Sequence, residues 1–252
     1  KIPKKADYLI LAGNISAFAY PHSDHFYEYL CQTWKGVFFV PGPQEFAGGP
    51  MDLGFKTCSA LESGISESGN FKVLTKESGS FIFPKHKVRL VGARLWGLDP
   101  KVYKDRGIRD TMEEDAPICD RKHAQEYQEG DREFIKHQLT LPETRGEQVI
   151  VVTHGCPRQA LCAKSAENAS IYTLLAEVEK ELIQEELGPA YWIYGCSGDK
   201  AGSTVEDVRL AGASSSTWIG TRGTDDEIVK AVAVDVVTCN RSTEAIPEIG
   251  RI

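Results

Sequence analysis

The feature that most constrains this fold is a set of short apolar runs, each of which ends in a loop marked by glycine. Residues 6–12 form one run, which stops at Gly13 and Asn14, and residues 37–40 form another, which stops at residues 41–43. Residues 149–153 give the clearest run in the chain. Short runs without polar alternation are typical of parallel strands that are buried on both faces. The sequence therefore predicts a sheet with a buried core.

Helical spacing separates these strands. Ser23 or Asp24 can cap a helix whose apolar side chains recur on one face at Phe26, Tyr29, Leu30 and Trp34. A second helix is predicted between residues 166 and 188, with Gly188 as its stop. Further strands are predicted at 81–83, 88–92, 191–194, 217–219 and 232–237. This alternation predicts an α/β fold with two packed sheets, in a single domain over residues 1–252.

Two segments have no clear hydrophobic periodicity. In residues 51–79 the pattern becomes weak and gives way to glycine and serine, and residues 99–121 are charged and irregular. The second segment is predicted to be a surface excursion, and it is where we expect partner contacts, since functional contacts concentrate on loops.

Composition excludes several classes of protein. The net charge of −7 argues against broad electrostatic capture of nucleic acid or anionic lipid. No apolar run is long enough to span a membrane, so no membrane insertion is expected. The seven cysteines form no C-x-x-C pair, which favours reduced thiols and an intracellular site, in the cytoplasm or in an organelle matrix such as that of the mitochondrion.

Four strand-end loops carry a family resemblance. Because ligand crevices of open α/β sheets lie at the carboxyl ends of strands, we expect the loops at 13–14, 42–45, 154–155 and 195–199 to converge. Their sequences are "LILAGNIS", "VFFVPGPQEF", "VVTHGCP" and "YWIYGCSGD". In order and spacing they resemble the G-D, G-N-H-E, T-H-x-x-P and G-H-x-H blocks of the calcineurin-like metallophosphoesterase family. The resemblance covers Ala6 to about Val237 and implies a two-sheet β-sandwich flanked by helices.

The departures from that pattern remove most metal ligands. The family holds two divalent metals bridged by a carboxylate, which together generate a hydroxide nucleophile. Asn14 stands where the bridging aspartate is expected, and Pro43 stands where an asparagine ligand is expected. Gln44 replaces the histidine that protonates the leaving group, and a glutamine has no useful pKa for that role.

His154 is the matched ligand that survives. Glu45 matches a glutamate that supports the site without binding metal, whereas Cys196 and Gly198 replace the last pair of histidines. The D-x-H block has no match, because only 12 residues precede Gly13. Either the first strand lies upstream of this sequence, as we expect, or another strand takes its place in the sheet. The resemblance thus implies a vestigial site at Asn14, Gln44, Glu45, His154, Cys196 and Gly198, with no catalytic residue and no cofactor.

These observations favour a catalytically inactive protein that acts as a structural or interaction subunit of a multi-subunit assembly with protein partners. One alternative is a divergent metal-dependent phosphoesterase that uses one divalent ion, Mn or Zn, through His154. A rearranged zinc site would use His154, Cys156 and Cys196, since imidazole and thiolate suit zinc, and a nucleophilic Cys196 aided by His154 is a related enzyme hypothesis. A component of a ribonucleoprotein, in contact with RNA, is a further alternative.

Overall fold

The chain forms a mixed α/β structure with two sheets. This computed structural model describes residues 4, 6–20, 23–65, 69–96, 100–111, 113, 116–141, 147–155, 191–196, 207–208, 216–220 and 231–234. Within these residues the strands are β1 (Tyr8–Leu11), β2 (Gly36–Phe39), β3 (Phe71–Val73), β4 (Phe81–Phe83), β5 (Val88–Ala93), β6 (Gln148–Gly155), β7 (Tyr191–Cys196), β8 (Asp207–Val208), β9 (Ser216–Gly220) and β10 (Ala231–Val234). The helices are α1 (Ser23–Thr33), α2 (Met51–Gly64), α3 (Pro100–Asp105) and α4 (Arg121–Thr140).

The first sheet has the strand order β10-β1-β2-β3. Strand β1 pairs in parallel with β2, which pairs in parallel with β3, while β10 runs antiparallel to β1. Helix α1 connects β1 to β2, as parallel neighbours require. Because β1 and β2 are parallel neighbours, their carboxyl ends meet at one edge of the sheet.

The second sheet has the strand order β4-β5-β6-β7-β9-β8. Strands β5, β6, β7 and β9 are parallel, with antiparallel pairs at both edges, β4 on β5 and β8 on β9. All six residues of β5 are buried, so both faces of this strand are covered. The second sheet thus also brings parallel strand ends, those of β5, β6 and β7, to one edge.

One core lies between the sheets and another lies outside the first sheet. Alternate residues of β1 and β2, including Ile10 and Phe38, pack against Leu90, Ile150 and Ile193 of the second sheet. The residues between them face the helices, where the buried side chains are Leu9, Leu11, Val37 and Phe39 with Tyr27, Leu30, Trp34, Met51 and Cys58. Because successive side chains of a strand point to opposite faces, β1 and β2 contribute side chains to both cores.

The predicted α/β class with two sheets is confirmed, and several local predictions differ from the structure. Residues 51–79, for which the sequence predicts no element, contain α2 and β3. Tyr29, predicted on the apolar face of α1, is 41% exposed, because its neighbour Tyr27 turns inward instead. The helix predicted between 166 and 188 lies outside the described residues.

Residues 99–121 are more closely attached to the core than their charge suggests. Tyr103, Ile108 and Cys119 are buried in the outer core. The backbone of Arg109 bonds to loop 49–51: its N–H donates to Gly49 O, and its carbonyl accepts from Met51 N. The exposed surface of this segment is therefore presented on a packed base.

No helix among the described residues is both long and apolar enough to cross a bilayer. Cys31, Cys58 and Cys119 carry free thiols, and burial raises the pKa of the Cys58 thiol to about 12, which keeps it protonated.

Candidate functional site

The structure brings the ends of β1, β2 and β6 together, although β6 belongs to the other sheet. His154, at the end of β6, is buried, and its Nδ1 lies 2.8 Å from the carbonyl oxygen of Ala12 at the end of β1. Because a carbonyl oxygen only accepts, Nδ1 of His154 donates this bond, which fixes the ring against the first sheet.

Two glycines make this close approach feasible. Gly13 has a φ of +84°, and a Cβ atom there would collide with Nδ1 of His154 and with the backbone of Gly42. A Cβ atom on Gly42 would lie 2.6 Å from Oδ1 of Asn14 and 2.9 Å from Cε1 of His154. Backbone and ring atoms therefore fill the space between the three strand ends.

Glu45 binds the two loops of the first sheet together. Its Oε2 accepts hydrogen bonds from the N–H groups of Asn14 (3.0 Å) and Gly42 (2.6 Å). Its Oε1 accepts from the N–H groups of Ile15 (2.5 Å) and Ser16 (3.2 Å). The residue is only 1% exposed, so the carboxylate is withdrawn from solvent and from any ligand.

Burial and hydrogen bonding act in opposite directions on this carboxyl group. Burial disfavours the ionised form and raises the pKa of Glu45 to about 7, while the four backbone N–H donors lower the pKa. Burial has the larger effect, so the group exchanges its proton near neutral pH and is mainly a carboxylate above it.

Asn14 and Gln44 are bonded to each other. Oδ1 of Asn14 accepts a hydrogen bond from the backbone N–H of Gln44 at 3.1 Å. Asn14 has a φ of 57°, in the left-handed region that asparagine tolerates better than most residues. Both side chains are half-buried and carry no charge. They supply no anionic ligand, and no group of three or more potential metal ligands occurs in the described part of the chain.

The remaining predicted site residues lie at or beyond the end of β7. The backbone of Cys196 pairs with that of Gly155, next to His154. Cys156 and Gly198 lie outside the described residues, as does the rest of the last loop. The structure thus brings together Asn14, Gln44, Glu45 and His154, with the backbone of Cys196 near them.

A support behind the site was not predicted from the sequence. The indole Nε1 of Trp96 donates to Pro41 O at 3.2 Å, and Arg94 O accepts from Gly155 N at 3.0 Å. The turn after β5 therefore contacts the loops that follow both β2 and β6. In the sequence, this turn is indicated by its position at a strand end and by the run "LVGARLWGL". The residue of α4 that binds the turn is distant in the chain, so no local pattern predicts the contact.

That partner is Asp131 of α4. Its Oδ2 accepts from the backbone N–H groups of Arg94 (3.1 Å) and Leu95 (3.0 Å), and its Oδ1 accepts from Nη2 of Arg94 (3.0 Å). Glu77 lies 3.3 Å from the same Nη2, and the guanidinium carbon lies 4.5 Å from the centre of the Phe55 ring. A fully buried ion pair thus anchors the turn that backs the site.

Comparisons with known proteins give one structural likeness. No protein-family profile matches the chain, and no curated protein matches it significantly. A crystal structure of a phosphopantetheinyl hydrolase from Mycobacterium tuberculosis is similar, with a TM-score of 0.52 and 14% identity over 86% of this chain and 79% of that one. An identity this low shows a likeness of fold alone.

These findings correct the assignment to the calcineurin-like metallophosphoesterase family. That assignment was wrong as an identification: no family profile supports it, and the structural match is to a phosphopantetheinyl hydrolase instead. The physical reason is that the residues that matched are general features of buried parallel strands. Glycines and apolar strand ends occur wherever such a strand enters a tight loop, whereas most of the metal-binding residues of the family pattern were absent.

Proposed function

We propose that this chain is a catalytically inactive protein with a two-sheet α/β sandwich flanked by helices, which serves as a structural or interaction subunit of a larger assembly. The observation that carries the proposal is that the polar side chains described at the strand ends are bonded to backbone groups. Glu45 is bonded to four backbone N–H groups, Asn14 to Gln44, and His154 to Ala12. These polar side chains are therefore engaged with the backbone of the strand-end loops.

The chemistry of these groups supports the same conclusion. A site that holds two dications needs anionic or imidazole ligands at both ions. Asn14 and Gln44 are neutral, and the single carboxylate and the single imidazole of the described site are both buried and bonded. Glu45 would have to give up its bonds to four backbone N–H groups before it could bind a metal, and the bond from Nδ1 of His154 to Ala12 leaves Nε2 as the one ring atom that could be a ligand.

A metal and activity assay tests the proposal. The purified protein would be loaded with Mn²⁺ or Zn²⁺, analysed for bound metal, and assayed on an aryl phosphate, a phosphodiester and a phosphopantetheinyl ester. The proposal predicts substoichiometric metal and the same background rate for the wild type and for His154→Ala. Metal-dependent turnover that His154→Ala abolishes would overturn it.

The alternative is a divergent hydrolase that uses one metal ion. It is favoured by the fold likeness to a phosphopantetheinyl hydrolase and by the position of His154 at a strand end. The phosphopantetheinyl ester in the assay above tests this alternative directly, since release of the phosphopantetheinyl group would establish it.

The partner side of the proposal needs its own experiment. We infer that the surface of residues 99–121 contacts protein partners, because this charged segment is held on a packed base by Tyr103, Ile108 and Cys119. Cross-linking of the native complex with mass spectrometry would locate the contacts. If RNA is the partner instead, binding should weaken steeply with salt concentration, which protein docking through this segment would not require.

A further inference from the structure

We propose that loops 13–16 and 42–45 form a binding site for a single carboxylate, and that Glu45 occupies this site as an internal ligand. The proposal concerns the loops themselves and does not depend on whether the protein is an interaction subunit or a hydrolase.

The donors have the arrangement of an anion-binding nest. The N–H groups of three consecutive residues, Asn14, Ile15 and Ser16, point at one carboxylate, and the N–H of Gly42 completes the set. Positive φ angles at Gly13 (+84°) and Asn14 (57°) turn the backbone so that successive N–H groups converge. Backbone concavities of this kind bind anions in many proteins.

The site is neutral apart from its occupant. The four donors are backbone amides, and no ion pair to Glu45 occurs among the described residues. The attraction is therefore made of oriented N–H dipoles, which favour the carboxylate and lower the pKa of Glu45, and it acts against the cost of burying the charge. Such a site selects small anions with several acceptor oxygens.

Glu45 keeps external anions out. Its side chain fills the nest from within the second loop, three residues after Gly42, and it is 1% exposed. An outside carboxylate can enter only when this side chain is absent. The same contacts hold the two loops together, so an anion that replaces the side chain should restore their packing.

Excision of the side chain gives a direct test. Glu45→Ala removes a fragment with the composition of acetate, so acetate should bind to the variant and restore its stability. At about pH 8, where the carboxylate predominates, we expect about 100 mM acetate to raise the Tm of Glu45→Ala by about 3 °C more than sodium chloride at the same ionic strength. The rise should saturate with acetate concentration.

Two controls separate site binding from general salt effects. Acetamide has nearly the shape of acetate without its charge and should not raise the Tm. Glu62→Ala is the matched variant, because Glu62 also accepts a backbone N–H, that of Val73, and pairs with Lys72 in a half-exposed position. Equal effects of acetate on both variants, or equal effects of acetamide and acetate on Glu45→Ala, would overturn the proposal.

A measurement on the wild type covers the case in which Glu45→Ala does not fold. Hydrogen exchange should show protection at the amides of Asn14, Ile15, Ser16 and Gly42, all of which lie in loops after a strand and have no ladder partner. Exchange of the Asn14, Ile15 and Ser16 amides at the rate of an unstructured peptide would contradict the nest.

Discussion

Two buried polar clusters in the described part of the chain use charge in different ways. In the loops at 13–16 and 42–45, a single carboxylate is held by neutral backbone donors, and the pKa of Glu45 rises to about 7. Behind them, Arg94 and Asp131 hold each other, and the two carboxylates Asp131 and Glu77 raise the pKa of Arg94 against the effect of burial. The first cluster holds two strand-end loops together, while the second keeps the turn behind them fixed.

The difference predicts unequal sensitivity to mutation. Removal of one member of a charged pair leaves a buried charge without compensation, whereas removal of a lone carboxylate leaves only unpaired backbone donors. The experiments below test this comparison, in order of the expected effect.

The largest effect is expected for Asp131→Ala. This change leaves Arg94 buried without its nearest counter-charge and removes the acceptor for the N–H groups of Arg94 and Leu95. We expect the free energy of unfolding in urea to fall by about 3–5 kcal/mol. Glu129→Ala is the control, since Glu129 pairs with Arg132 on the same helix while 57% exposed, and its loss should cost less than about 1 kcal/mol. Equal losses for the two variants would contradict the anchoring role of Asp131.

A pH-dependent difference is expected between the wild type and Glu45→Gln. The folded-state pKa of about 7 lies above the ordinary value of 4.5, so the folded chain binds this proton more tightly than the unfolded chain. The stabilisation from protonation is fully present below pH 4.5 and is lost as the pH rises through 7.

The wild type should therefore lose on the order of 3 kcal/mol relative to Glu45→Gln as the pH rises across this window. Urea denaturation of both proteins at several pH values measures this difference. A difference that grows in the opposite direction would mean that the four N–H donors outweigh burial.

Gly42→Ala should destabilise the site by steric crowding. The added methyl group would lie 2.6 Å from Oδ1 of Asn14 and 2.9 Å from Cε1 of His154. We expect a loss of about 1–3 kcal/mol in thermal or urea unfolding. Gly64→Ala is the matched control, since nothing lies within 4 Å of its added Cβ, and a helical alanine there should be neutral or slightly stabilising. A neutral Gly42→Ala would show that the strand ends are not in contact.

The smallest effect is expected at the start of α4. The side chain of Asp120 accepts from the N–H groups of Lys122 and His123 as the N-cap. Asp120→Ala should lower the Tm, whereas Asp120→Asn, which keeps the acceptor oxygen, should lower it less. The helical circular dichroism and the Tm of the two variants measure the difference.

The sequence predicts the layers of this fold better than it predicts the contents of the site. Buried strands such as Gly36–Phe39 are marked by continuous apolar runs, which depend only on local composition. Helix α2 was not predicted because it contains Gly54, and glycine disfavours a helix. The glycine is required by packing, since a Cβ atom there would collide with the ring of Phe46. Such a requirement is set by a distant residue and has no local mark.

The site illustrates the same limit. The positions of the strand-end loops along the chain predict that Asn14, Gln44, Glu45 and His154 lie together, because strand ends of parallel sheets share an edge. Their hydrogen bonds to each other and to the backbone, and the ion pair of Arg94 with Asp131, 37 residues away, depend on three-dimensional packing. Loop positions therefore predict the place of the site, whereas its chemistry is set by contacts between residues that are distant in the chain.

The most direct test of the shortage of metal ligands at this site is anomalous diffraction from crystals grown with Mn²⁺. Because the described residues place one imidazole and two neutral side chains there and hold the carboxylate of Glu45 on backbone N–H groups, we expect no anomalous peak within coordination distance of Nε2 of His154 or of the Asn14 side chain. Two strong peaks close to each other at these atoms, with Glu45 released from the N–H groups of loop 13–16, would contradict the account.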